Sequence, residues 1–327
     1  MYGKKILLIC LIFVFPFLAS AEEGFKFPVA ASSKVLGFAP LWVASGKGFL
    51  EREGLDAEVT AIRGTAPTMQ ALVSDSIYVA LAANDGVIGL VEKGLDVAMI
   101  AGGSKTTHMI MGGKKYKTYE DLRGATIGSS TLTSGTAFLL RRVLKTKGLE
   151  YPRDYNLVNV GGSGPALTAL STGNIAAAIL AVPLSFKAQQ MGFNLIGKVT
   201  DIFPNYLLSS FSVRREWAAD HRDEVVRFLK GVLGARKWLG ENKQEAAEFL
   251  AKDLDMKPAL ARKGLDYYLD NRAWDPELNI DMDGLKTVVE IYAEQADMKG
   301  PIPSPDKYVD LSYLKEAQKE LGWNKSN

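Results

Sequence analysis

The run Thr131-Leu132-Thr133-Ser134-Gly135-Thr136 places four hydroxyl side chains around one glycine, just ahead of an amphipathic segment. A helix start of this kind presents unpaired backbone amides, a partial positive charge and hydroxyl donors. That chemistry suits carboxylate, sulfonate or phosphate groups. The same residues also suit an ordinary N-cap with no ligand, because Ser and Thr are preferred there in any case. Thr65 and Ser163 follow Gly64 and Gly162 at two further predicted helix starts and offer the same pair of readings. Asp85 either accepts hydrogen bonds from an amine or hydroxyl of a ligand or caps its own helix together with Asn84. Ser33 adds a hydroxyl after the first predicted strand. Leu36, Phe38, Leu184 and Phe186, with Pro183 among them, supply walls for an organic body or belong to a core. Lys34 and Arg63 pair with an anion or stay solvated, and His108 is a donor on the floor of a cleft or a hinge residue.

An internal repeat positions these loops. Residues 56–98 match residues 154–196 at a constant offset of 98, with nine identities in 43 positions. The matches include Asp56 with Asp154, Gly64 with Gly162, Pro67 with Pro165 and Ile77 with Ile175. Each copy reads as strand, loop, helix repeated three times. Predicted strands fall near 27–32, 57–62 and 77–83, then near 125–129, 155–160 and 176–181. Short apolar runs alternating with amphipathic segments predict parallel strands joined by crossover helices. Functional loops then lie beyond the carboxyl ends of the strands. Two lobes of this α/β kind, facing each other, set matched loops on one cleft: 33–38 opposite 130–136, 64–65 opposite 162–163, and 84–85 opposite 182–183. The segment 107–116 is expected to link the lobes as a crossing strand, and 207–213 to carry the chain back. Amphipathic segments near 220–240, 243–252, 258–270 and 283–296 predict a helical extension that packs on the first lobe, with Trp217, Trp238 and Trp274 as packing residues.

Three stretches carry a family resemblance: Pro40-Leu41-Trp42-Val43-Ala44 followed by Gly46 to Leu55, Asp121-Leu122-Arg123-Gly124-Ala125-Thr126-Ile127-Gly128, and Ser134-Gly135-Thr136 opening a helix. In these the chain resembles the periplasmic binding proteins for nitrate, sulfonates, taurine and thiamine-pyrimidine precursors. The resemblance implies a hinged two-lobed periplasmic-binding-protein fold, each lobe a mostly parallel sheet flanked by helices, that closes on a small solute. It further implies delivery to an ABC permease and its ATPase in the inner membrane. A precursor-synthesising branch of the wider family relies on cysteine and histidine clusters that this sequence lacks.

Composition narrows the classes. Lys4 and Lys5, an apolar run from Ile6 to Leu18 and Ala19-Ser20-Ala21 predict a cleaved signal peptide over 1–21 and hence a periplasmic chain. The first lobe is expected over 22–110, the second over 111–208, and the return to the first over 209–327. Cys10 is the only cysteine and lies in the signal segment, so disulfides and thiolate chemistry are excluded from the mature chain. With two histidines in all, a metal site is not expected, nor a cofactor. Beyond residue 21 the chain holds 37 basic residues (39 − 2) and 37 acidic ones, which gives no basic footprint for nucleic acid. No Gly-Lys-Ser/Thr phosphate loop is present. The expected function is capture of a small organic anion by a monomeric receptor. A neutral or amine-bearing heterocycle is the alternative ligand, a sensory receptor the alternative role, and an enzyme on the same scaffold the remaining class.

Overall fold

The computed structural model describes residues 26–132 and 134–323; the predicted signal peptide and Thr133 lie outside the described residues. The first half runs β1 (Lys26–Ala31), α1 (Ala39–Gly46), α2 (Phe49–Arg52), β2 (Asp56–Ala61), α3 (Thr65–Val73), β3 (Val79–Ala83), α4 (Asn84–Glu92) and β4 (Val97–Lys105). β5 (Met109–Gly112) closes this half, and the second runs β6 (Thr126–Ser129), α5 (Gly135–Thr146), β7 (Asn156–Asn159), α6 (Ser163–Ser171), β8 (Ala177–Leu180), α7 (Leu184–Gln190) and β9 (Asn194–Lys198). Then follow β10 (Leu207–Arg214), α8 (Arg215–Asp220), α9 (Arg222–Glu241), α10 (Lys243–Asp253), α11 (Pro258–Asp270), α12 (Met282–Gln295) and α13 (Ser312–Glu320).

Two five-stranded sheets result, ordered β2-β1-β3-β10-β4 and β7-β6-β8-β5-β9. Their registers repeat. β1 pairs in parallel with β2 (Lys26 opposite Asp56) and with β3 (Val29 opposite Val79). β6 pairs in parallel with β7 (Thr126 opposite Asn156) and with β8 (Ile127 opposite Ala177). Helices α3 and α6 begin 98 residues apart, at Thr65 and Ser163, which is the offset of the sequence repeat.

In each sheet the fourth strand comes from the other half of the chain and runs antiparallel: β10 between β3 and β4, β5 between β8 and β9. The expected crossing strand 107–116 is therefore shorter than predicted. Its strand, β5, lies wholly in the second sheet, and residues 106–108 make the crossing. Residues 199–206 make the return. The two crossings are tied together, since Thr106 N–H donates to Tyr206 O (2.9 Å) and Val199 N–H to His108 O (3.0 Å).

Two apolar clusters run through this hinge into both lobes. One joins Phe27, Leu81 and Trp274 to Leu180 and Phe186, and the other joins Ala30, Met99 and Val289 to Ile127 and Ile179. The long helix α9 packs on α1 and α2, and α13 packs on α9, so most of the helical extension sits on the first lobe. Gly231 permits the α9 contact, because a Cβ there would meet Leu50 Cδ2 at 2.8 Å. Trp274 is fully buried and donates its indole N–H to Gly37 O (2.8 Å), a packing role as expected. Helix α12 differs: it packs on α4 of the first lobe and on α5 of the second. Among the described residues no helix is long and apolar enough to cross a membrane.

Candidate functional site

The loops that follow the sheet strands do meet between the lobes, but in a crossed pattern. Asp85, in the first turn of α4, accepts the backbone N–H of Gly135, the first residue of α5, at 3.0 Å. On the other side Leu36 and Pro183 approach across α11: a Cβ on Gly264 would overlap Leu36 Cδ2 and lie 3.2 Å from Pro183 Cβ. The expectation that 33–38 faces 130–136 and 84–85 faces 182–183 is thus corrected. The third loop of one lobe meets the first loop of the other, and the converse holds across the cleft. Lobes related by an approximate two-fold make this kind of reciprocal contact, in which patch i meets j and j meets i.

The α5 start is built as a helix N-cap. Ser134 has extended backbone (ψ 154°), and its hydroxyl accepts Ala137 N–H at 3.2 Å. That hydroxyl also lies 2.7 Å from Ser130 Oγ and donates to Thr131 O at 3.1 Å. The cap reading therefore holds for Ser134. Asp85 takes the N1 amide and Ser134 the N3 amide. Thr131 is exposed and Thr136 half-buried at the mouth of this helix.

Helix α4 begins one residue earlier than the cap reading required. Ala83 is its N-cap residue and no side chain caps it. Asn84 is fully buried and instead reaches the return crossing, its Nδ2 donating to Leu207 O at 2.9 Å, while its Oδ1 has no partner. Asp85 is half-buried, and desolvation pushes its pKa above the usual carboxylate value of 3.8, against the opposing pull of the Gly135, Asp85 and Gly86 amides. Thr65, half-buried at the start of α3, packs its methyl against Gly86 of α4.

The remaining candidates divide. Ser163 is drawn inward: its hydroxyl accepts Ala181 N–H at 3.1 Å, which ties α6 to the β8–α7 loop. Leu36, Phe38, Pro183 and Phe186 are buried, whereas Ser33 and Leu184 are half-buried. Phe186 stacks edge-on against Tyr267 of α11 (5.5 Å) under the Lys263 ammonium (4.4 Å). Lys34 is paired with Asp253 at 2.9 Å, and Arg63 is exposed.

His108 lies in the outward crossing. Its Nδ1 is 3.0 Å from Thr106 Oγ1, and burial lowers its pKa from 6.5 to about 4, so the ring is neutral at pH 7. Next to it Thr107 Oγ1 bonds Tyr268 OH at 3.0 Å, fastening α11 to the hinge. The sequence does not single out Tyr206, Tyr267, Tyr268 and Tyr292, which pack near the crossings and the late helices. Their positions depend on where the return crossing and the late helices dock, and no local spacing signals that. Among the described residues there is no group of three or more His, Cys, Asp and Glu side chains arranged to hold a metal ion.

Comparison with known proteins places this geometry. The model of the NMT1-like family matches residues 32–254. A Bacillus subtilis (strain 168) protein named as aliphatic sulfonates-binding is 26% identical over 301 residues, covering 86% of this chain and 85% of its own length. The periplasmic nitrate-binding protein NrtA from Synechocystis PCC 6803 superposes with a TM-score of 0.73 at 15% identity, over 90% of this chain and 89% of that one. The desulfurization enzyme DszB also shares the fold, with a TM-score of 0.65 at 15% identity over 90% and 99% of the two chains. With two repeated lobes, a double crossing and a family match that spans both lobes, the chain belongs to the NMT1-like family.

Proposed function

We propose that the protein is the substrate-binding component of an ABC importer, residing in the periplasm, and that it captures a small organic solute between its lobes. The observation that carries this reading is the Asp85–Gly135 hydrogen bond. It joins opposite lobes through a carboxylate and a helix start, so the α5 terminus already accommodates a carboxylate oxygen from across the cleft. A sulfonate or carboxylate head of the solute takes the neighbouring donors, the Thr136 amide and hydroxyl with Ser130 and Thr131. Leu36, Phe38, Pro183 and Leu184 bound its organic body.

Relatives named for sulfonate and nitrate binding support this class, and the double crossing supplies the hinge that closure requires. The reading favours binding over catalysis. His108 is neutral, and its Nδ1 is held by a threonine rather than by an acid that would orient it as a general base. Thermal unfolding against a panel of alkyl and aryl sulfonates, carboxylates, nitrate and pyrimidines tests it. A solute at 100 times its dissociation constant adds about 2.7 kcal/mol, a rise of several degrees. No rise with any organic acid contradicts the anion assignment.

A further inference from the structure

We propose that Asp85 is the seat of a donor-bearing nitrogen on the solute, an ammonium, amidinium or amino group, and that the cleft closes fully only over a ligand that supplies it. The inference rests on the inter-lobe cleft being the binding site. At the start of α4, acceptors outnumber donors. An ionised carboxylate offers about four acceptor positions, and Asp85 meets one amide from the opposite lobe besides the amides of its own first turn. None of the described lysines, arginines or histidines pairs with it. The groups that feel its charge from packed elements are the phenols of Tyr206 on the return crossing and Tyr292 on α12.

Immediately before it, Asn84 Oδ1 is fully buried and without any partner. Buried charges in proteins are paired, and buried acceptors are hydrogen-bonded. Asp85 accepts backbone amides but has no cationic partner among the described residues, and Asn84 Oδ1 has no hydrogen-bond partner. The missing complement is a group with several N–H donors and a positive or partial positive charge. A second anion at the same place would instead meet like charge at close range. In the arrangement that sets Asp85 against Gly135, a carboxylate with no cationic partner carries a desolvation cost. A donor nitrogen removes that cost at the moment of binding, so closure and recognition become one event.

The test uses matched solutes, 3-aminopropanesulfonate against propanesulfonate and benzamidine against benzoate, titrated into wild type and Asp85→Asn. The proposal expects the nitrogen-bearing member of at least one pair to bind wild type at least tenfold tighter, with that advantage lost in Asp85→Asn. It also expects ligand-free Asp85→Asn to melt several degrees above wild type at pH 7. Tighter binding of the nitrogen-free acids, strengthened further in Asp85→Asn, overturns the nitrogen seat and leaves the cleft reading intact. Failure of every solute to bind either protein overturns both. An unchanged or lowered melting temperature of Asp85→Asn overturns the seat without reference to any ligand.

Discussion

His108 is buried and Asp85 half-buried, and desolvation moves their pKa values in opposite directions, so they respond to pH with opposite sign. The His108 pKa falls to about 4 in the fold from 6.5, so between those values the unfolded chain binds the proton and the folded chain does not. Stability from this residue is complete above pH 6.5 and lost as pH falls towards 4. The loss is roughly 3 kcal/mol across the window. The Asp85 pKa is raised above 3.8, so the folded chain holds its proton more tightly, and the penalty of burying its charge grows as pH rises through that higher value. Replacing His108 with Gln should flatten the fall in melting temperature between pH 6.5 and 4. The stability gain of Asp85→Asn should be largest near pH 7 and fade towards pH 4. Melting curves of wild type and both variants across that range check the two signs separately.

The readable parts of the site were those set by local rules. Ser134 before Gly135-Thr136 announced an N-cap, and it is one. The Asp85–Gly135 bond was not readable, because its partners are 50 residues apart and meet only through the way the lobes dock.

At the scale of elements, α11 and α12 determine how the lobes meet. Helix α12 holds α5 through Glu294, which pairs with Arg142 (2.8 Å) and Lys145 (3.3 Å). These pairs are about half exposed and contribute only about 0–1 kcal/mol each. Packing decides more than charge here. Gly264 lets Leu36 and Pro183 close around α11, and Gly284 lets the start of α12 nest against the Asn205 carbonyl of the return crossing. Gly264→Leu should act as a wedge between the lobes. The expected outcome is at least a tenfold loss of solute affinity with a larger ligand-free radius of gyration, measured by titration calorimetry and small-angle scattering.

The amphipathic late helices were legible from their periodicity: 222–241 and 258–270 lie close to where the pattern placed them. Strand β4 was not. Gly102 and Gly103 break its apolar run, and they are there because Asn279 O and Ser209 Oγ each come within 2.6 Å of where a side chain would begin. Glycine in a strand marks that kind of close approach. The irregular register of β4 with β10 shows the same crowding.

For the whole molecule, the sequence repeat and the sheet topology state one fact in two ways. Each half folds as a parallel three-stranded unit and lends one antiparallel strand to the other half. Two exchanged strands require two crossings, and two crossings hydrogen-bonded side by side make a hinge with a defined axis. The repeat was visible because loops and helix starts recur at a fixed spacing. The crossed apposition of those loops was not, since it follows from the two-fold relation between lobes rather than from either copy alone.

The central claim is that this hinge closes on a solute held between the lobes. Small-angle scattering of the chain lacking residues 1–21, with and without a saturating solute found by thermal shift, tests it most directly. The account predicts a smaller radius of gyration with solute bound, absent in Gly264→Leu at the same concentration. A solute that binds tightly while the wild-type radius stays unchanged would contradict it and place the binding site outside the cleft.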